Sequence, residues 1–389
     1  MASSYCILPY EIMLQIFNLL SKDRLSLYKL LYLSPSYRPD LERMLYRSMT
    51  AWLGYPTFRR FLNSILNNPR LASYVHRFAI VDNEEWDQEP EKTFPENSGI
   101  WKWVLQALEC MVNLKAFVVD VEDSNPPTDK IVDLFIRTGR QLHELAWCAG
   151  YENSFTRPQL LRLLVRQSEL RILRTNMFDS YYQENDMPVV PICCPKVRHI
   201  RSPAHVVKKF MRDGSRPITS LVITGVLDPN EIPLPDFSRL EELTLWEPPS
   251  KFLNARFPKV TSLKLSCNML LKELDQMSRF PALKEITTFD TRSRIGGEEF
   301  IKIFSICKKL EVVLIGPKEI YYHPMASCDL ACKFERWTVK RTTGLDGKAV
   351  VEPVRDGYEV IDCSADFRDI RSYRQYSLWK SRLDKGVFY

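Results

Sequence analysis

The 389-residue sequence predicts an α/β chain: a short N-terminal helical domain, then an irregular solenoid with parallel strands on its concave face. Three observations support this. The stretch ILPYEIMLQIFNLL, from Ile7, is apolar at helical spacing. A six-residue pattern, apolar-x-x-apolar-x-apolar, recurs from Val75 onward at a near-regular interval. Hydrophobic residues make up 45% of the chain, enough apolar surface to bury a core and too much for a disordered chain.

Residues 7–47 read as two or three helices. Pro9 suits the first helical position, where a missing N–H is harmless. Ile12, Met13, Ile16, Phe17, Leu19 and Leu20 spread over roughly 160° of the first helix, and Glu11, Gln15 and Asn18 form a narrow polar strip opposite. The next segment, DRLSLYKLLYL, covers part of that arc with Leu25, Leu27, Leu30, Leu31 and Leu33. A head of about 45 residues is too small to bury so much alone, so it is expected to dock on the solenoid or on another protein. Pro35 and Pro39 should break or shorten the third helix. The organisation expected is a helical domain over 1–50, a helical connector over 51–74, the solenoid over 75–317 and a C-terminal capping segment over 318–389.

The repeats begin at Val75, Leu114, Leu142, Leu170, Val197, Ile218, Leu240, Val260, Leu283 and Leu310, with an eleventh match, FERWTV, at Phe334. The first step is 39 residues and the later ones among the ten lie between 20 and 28. That is the period of leucine-rich repeats, in which a short strand and a return segment stack on their neighbours because one unit cannot cover its own apolar face. The third apolar place is polar in three units, at Thr175, Ser202 and Thr288. The longer steps leave room for helices over Asp129–Gly139, with Gly139 as the stop, and over Arg157–Gln167. Steps of 20 to 23 leave room only for a turn or loop. The acidic stretch DNEEWDQEPEKTFPEN reads as a solvated insertion that lengthens the first step. FERWTVKRTTGLDGKAVVEPV reads as two strands joined through Asp346-Gly347 and placed to cover the open edge of the last repeat.

The head has a more specific reading. LPYEIMLQIFNLL resembles the opening of an F-box, roughly L-P-x-E-I/L-x-x-x-I-x-x-x-L, with Leu8, Pro9, Glu11, Ile12, Ile16 and Leu20 in the matching places. Asp23 and Leu25 resemble the acid and Leu that open its second helix. LYRSM followed by FRRFLNSILNNPRLASYVHRFAI is similar to the join between box and repeats in fungal F-box-like proteins. The second half departs from the pattern: its usual V-C-R-x-W/F-R stretch reads LSPSYRPDL, with Tyr37-Arg38 in place of the aromatic–basic pair. The resemblance implies a substrate receptor of a Skp–cullin–F-box ubiquitin ligase. The Skp-type adaptor and cullin core would be held through Leu8, Pro9, Glu11, Ile12, Ile16, Leu19 and Leu20, and a protein target through the repeats. The alternative is an adaptor-independent interaction scaffold in which the first helix caps the repeats.

No nucleotide loop, GxSxG, HExxH or CxxC pair is present, and the five His lie dispersed, so no enzymatic role is expected. An enzyme on an α/β fold would have to use His199 or Cys194. His323, Cys328 and Cys332 could supply three metal ligands, but no fourth stands at a zinc-site spacing, so neither metal nor cofactor is expected. Net charge is +6, below a nucleic-acid footprint, and no apolar run spans a bilayer, so neither nucleic acid nor membrane is expected as a partner. The N-terminus is a poor secretory signal and the ten Cys are scattered, which suggests a cytoplasmic or nuclear protein with reduced thiols. In a leucine-rich repeat the third and fifth places of each unit face the concave surface. Arg174, His199, Arg201 and Lys264 hold such places, and Trp246 and Phe289 the next one outward. Arg and aromatic side chains are common binding anchors, and Arg174, His199 and Arg201 suit a carboxylate or phosphate.

Overall fold

The computed structural model describes residues 9–20, 24–32, 35–53, 56–81, 98–121, 125–149, 157–175, 194–211, 216–224, 237–245, 256–265, 267–288, 295–322, 330–343 and 349–362. These hold a mixed α/β architecture with thirteen strands, mostly parallel and not closed into a barrel. The chain forms two compact units, one reaching to Gln167 and one beginning at Ser168.

The first unit starts with three helices, α1 (Tyr10–Leu19), α2 (Arg24–Leu30) and α3 (Arg38–Arg47). Phe17, Leu27, Leu41 and Leu45 form a core of their own, ringed by Met13, Leu14, Leu20, Leu30, Leu31 and Tyr37. Pro9 is the N-cap of α1, one place earlier than expected, and its carbonyl accepts the Ile12 and Met13 amides. The expectation that proline would disrupt the third helix is corrected. Pro35 sits in a 3-10 turn before α3, and Pro39 lies in the first turn of that ten-residue helix, where no intrahelical N–H is lost.

The rest of the unit alternates strands with helices: β1 (Ser48–Trp52), α4 (Pro56–Asn67), α5 (Pro69–Ser73), β2 (Arg77–Val81), α6 (Ser98–Cys110), β3 (Ala116–Val121), α7 (Thr128–Thr138), β4 (Glu144–Ala149) and α8 (Arg157–Leu164). β1 is a strand the periodicity did not place. The four strands are parallel and neighbours in chain order, with Ser48 opposite Arg77, Arg77 opposite Ala116 and Ala116 opposite Glu144. Strand alternation turns Phe78 and Phe117 toward the helices, where rings from α4 (Phe58, Phe61) and α7 (Phe135) pack on them. On the other face Ala79, Val118 and Ala146 make a separate small apolar cluster. α7 occupies the expected segment and ends at Gly139, whose φ of 62° is the left-handed cap that a side chain would strain. α8 is shorter than expected, and a buried Gln167 lies beyond its end.

The second unit carries β5 (Ile172–Thr175), β6 (His199–Pro203), α9 (Ala204–Met211), β7 (Ser220–Thr224), β8 (Glu242–Leu245), β9 (Ser262–Leu265), α10 (Cys267–Lys272), β10 (Glu285–Thr288), α11 (Gly297–Ile306), β11 (Val312–Tyr322), β12 (Leu330–Thr343) and β13 (Ala349–Asp362). β5 to β11 run parallel in chain order. The expectation that steps of 20 to 23 residues hold only a turn or loop is corrected: α9 fits in the 21-residue step from Val197 and α10 in the 23-residue step from Val260, because the strands there are only four or five residues long. The polar residues at the third apolar place are buried and bonded: Thr175 and Ser202 share a 2.8 Å hydroxyl contact, and the Thr288 hydroxyl donates to the Leu314 carbonyl. Phe237, Phe257 and Phe280 stack behind the strands, each three residues ahead of a repeat start.

At the end of this unit β11, β12 and β13 pair antiparallel, as the hairpin reading expected. FERWTV is thereby corrected from an eleventh repeat to part of a return strand. Only seven residues separate Tyr322 from Leu330, and a parallel crossover needs about a dozen. Trp337 of β12 stacks on Phe300 at 4.3 Å, and Arg341 donates to the Phe304, Cys307 and Leu310 carbonyls past the end of α11, anchoring the hairpin.

Candidate functional site

α1 carries the clearest unpartnered surface. Its inner side is closed: Phe17 is 1% exposed and packs edge-on against Tyr37, which stacks on Tyr10. The Tyr10 hydroxyl donates to Asp40 at 2.5 Å, so that carboxylate holds the phenol pKa above its ordinary value. Tyr37, read from sequence as the aromatic of the box pattern, thus has the structural task of joining α1 to α3.

The outer side is open. Leu19 is 84% exposed and Ile12 39%. Pro9 and Glu11 are exposed as well, and Ile16 and Leu20 are half-buried. Leu8 lies outside the described residues. Tyr28 and Tyr32 of the following helix and turn are exposed too, linked by a 2.6 Å hydroxyl contact that raises the Tyr32 pKa. The arc counted from sequence therefore divides in two. Met13, Phe17 and Leu20 close the head's own core together with Leu14, which the arc did not include, Ile16 is half-buried, and Ile12 and Leu19 remain for something else.

A buried carboxylate ties α3 to α5. Glu42 on α3 accepts from Arg38 at 3.0 Å and from Arg70 on α5 at 2.6 Å. Arg70 also donates to the Tyr74 hydroxyl, and both Arg43 and Arg70 lie over the Tyr74 ring. The two changes to this clamp should differ. Arg38→Ala with Arg70→Ala leaves a buried carboxylate unpaired and should cost about 2 kcal/mol. Glu42→Gln leaves two arginines that still reach water and should cost under about 1 kcal/mol. Urea unfolding of the two variants checks the ranking.

The strand residues read as target-binding divide by position. In the second unit Arg174 stands directly opposite Arg201 across β5 and β6, and His199 is two residues before Arg201 on the same face of its strand. The structure brings these three together. Lys264 lies on β9, three strands beyond β6 and roughly 14 Å away at ordinary strand spacing. Trp246 and Phe289 fall outside the described residues. Arg201 is only 6% exposed, and Val222, Thr244 and Thr287 of the same row are also buried, so that row is a covered floor with Arg174 and Lys264 at its more open places.

Cys194, the thiol weighed for chemistry, is buried in a turn where its carbonyl accepts the Val197 amide. Cys307 is the buried C-cap of α11, and burial pushes its thiol up to about 12. His323 and Cys328 lie outside the described residues. Among the described residues no three His, Cys, Asp or Glu side chains gather as a metal site, and no helix is long and apolar enough to cross a membrane. Periodicity could not point to Arg47, His76, Lys115 and His143, which immediately precede β1 to β4. For His76, Lys115 and His143 the signal was a basic residue at the second place of successive repeats, hidden because that place belongs to no apolar pattern; Arg47 lies ahead of the first counted repeat. No protein-family model and no curated protein matches this chain.

Proposed function

We propose that this protein is a substrate receptor of a Skp–cullin–F-box ubiquitin ligase, with the N-terminal helices as an F-box-like domain and the parallel strand array as an irregular leucine-rich-repeat surface for a target protein. The single observation that carries the reading is the open side of α1. A helix whose inner residues already close a core keeps Ile12 and Leu19 in water. Exposing large aliphatic side chains on one continuous face is unfavourable unless a partner covers them. The match of Pro9, Glu11, Ile12, Ile16 and Leu20 to the box pattern supports a Skp-type adaptor as that partner.

The chain itself then performs no covalent step. Its contribution is tethering: a target held on the repeats is presented to the ubiquitin-charged enzyme at a raised effective concentration. The scaffold alternative uses α1 as a cap on the repeats. The packing of α1 on α2 and α3 through Phe17 and its neighbours favours the receptor reading over that one.

Co-expression with a Skp-type adaptor tests it. The wild-type chain should co-purify with the adaptor, and Ile12→Asp or Leu19→Asp should reduce recovery at least tenfold with the helical content unchanged. Ile16→Asp, at a half-buried place, should act likewise. Adaptor recovery at the wild-type level in the two exposed-site variants would sink the proposed interface.

A further inference from the structure

The first unit carries a basic row at the leading ends of its four strands. Arg47, His76, Lys115 and His143 each stand immediately ahead of a strand, and the backbone holds them side by side. The His76 amide donates to the Arg47 carbonyl at 2.9 Å, Lys115 to His76 at 2.8 Å, and His143 to Lys115 at 2.6 Å. Neighbours in such a ladder lie roughly 4.8 Å apart. Arg47, His76 and Lys115 are exposed, and His143 is half-buried.

Like charges on neighbouring strands destabilise a sheet, so Arg47 and Lys115 on either side of His76 are not placed there for stability. Their effect is visible at His76. Partial burial lowers the His76 pKa, and Arg47 and Lys115 lower it further. Of the other groups facing His76, the Tyr74 carbonyl lies 3.3 Å from its ring and can accept from Nδ1–H, and Arg43 and Arg70 flank Tyr74. The acids on α3, the last turn of α6 and the start of β4 are paired elsewhere, Asp40 with Arg43, Glu42 with Arg70, Glu109 with Arg137 and Glu144 with Arg77. Among the described residues Arg47, His76 and Lys115 have no acidic partner.

We infer that the row Arg47–His76–Lys115–His143 is a docking site for an acidic, carboxylate-rich segment of a protein partner laid across the strands. Two permanent cations and two imidazoles are too few for the six to ten phosphate contacts typical of nucleic-acid binding, which favours a short peptide. A bound carboxylate reverses the repulsion on His76, so binding takes up protons and tightens as pH falls. The inference concerns a surface other than α1 and stands whether or not the head holds an adaptor.

The test uses the full chain and a fluorescein-labelled twelve-residue peptide of alternating Glu and Ser, followed by anisotropy at low salt. Uptake of about half a proton between pH 7.5 and 6.0 makes binding about fivefold tighter. Lys115→Glu should weaken it at least tenfold, and Arg47→Gln with His76→Gln should both weaken it and flatten the pH dependence. Circular dichroism confirms that the variants fold. Wild-type affinity in both variants, or affinity that does not change with pH, overturns the site. Tighter binding of a twelve-nucleotide oligo-dT overturns the choice of a protein partner. Peptide binding that emerges only after deletion of residues 83–96 places the chain's own acidic stretch on the row and overturns an external one.

Discussion

Replacing Phe257 with alanine is expected to destabilise the second unit by about 3–5 kcal/mol, a large part of the stability of an ordinary domain. Phe257 is fully buried and lies between two rings. Its centroid is 5.0 Å from Phe237 and 4.7 Å from Phe280, the latter pair nearly parallel. Removing the middle ring opens a cavity and breaks two aromatic contacts worth roughly 0.5–1.5 kcal/mol each beyond their buried area. The effect should be local. Hydrogen exchange should accelerate first in β8, β9 and β10, the strands nearest the stack in sequence, and urea unfolding should report the total. Phe257→Leu keeps most of the volume and should lose less than half as much. An alanine variant with wild-type protection in those strands would show that the stack is not a core element.

Gln167→Met is expected to cost the first unit about 2–4 kcal/mol although it replaces a polar residue by an apolar one of similar length. Gln167 is fully buried and uses both ends of its amide: Oε1 accepts the Leu142 amide at 2.7 Å and Nε2 donates to the Arg140 carbonyl at 2.9 Å. Methionine leaves both backbone groups without a partner, and each orphaned group costs about 1–3 kcal/mol. The amide of Leu142 should lose its exchange protection, and the urea midpoint should fall. Arg140 meanwhile donates to the Leu108 and Glu109 carbonyls at the end of α6, so one backbone turn joins two helix ends. Loss at Gln167 should therefore also loosen α6, which exchange in Ala107–Cys110 would report.

Much of the fold was legible because its signals are short-range. The step between repeat starts placed most of the strands, the apolar spacing with Gly139 placed α7, and the paired apolar runs placed the two hairpin strands, whose turn at Asp346-Gly347 lies outside the described residues. The failures were also physical. β1 was missed because Ser48–Trp52 is brief and has no full repeat pattern before it. FERWTV was misread because a six-residue match is blind to direction, which the seven-residue connection to β12 decides. Pro39 was misread because its effect depends on whether a helix begins just before it or has already begun.

The site divides in the same way. The sequence by itself determined that α1 has an apolar arc too wide for one neighbour, that strands recur, and that Arg174, His199 and Arg201 hold alternate places on adjacent strands. Those statements need only periods of 3.6 and 2. The tertiary structure alone decided which part of the arc stays open, because that depends on how Leu27, Leu41 and Leu45 meet Phe17. It alone also assembled Arg47, His76, Lys115 and His143, which are 28 to 39 residues apart in the chain yet stand on neighbouring strands. Local periodicity sets which way a side chain points. Which distant side chains become neighbours is set by strand register, and register is fixed only when the helices and loops between strands have packed.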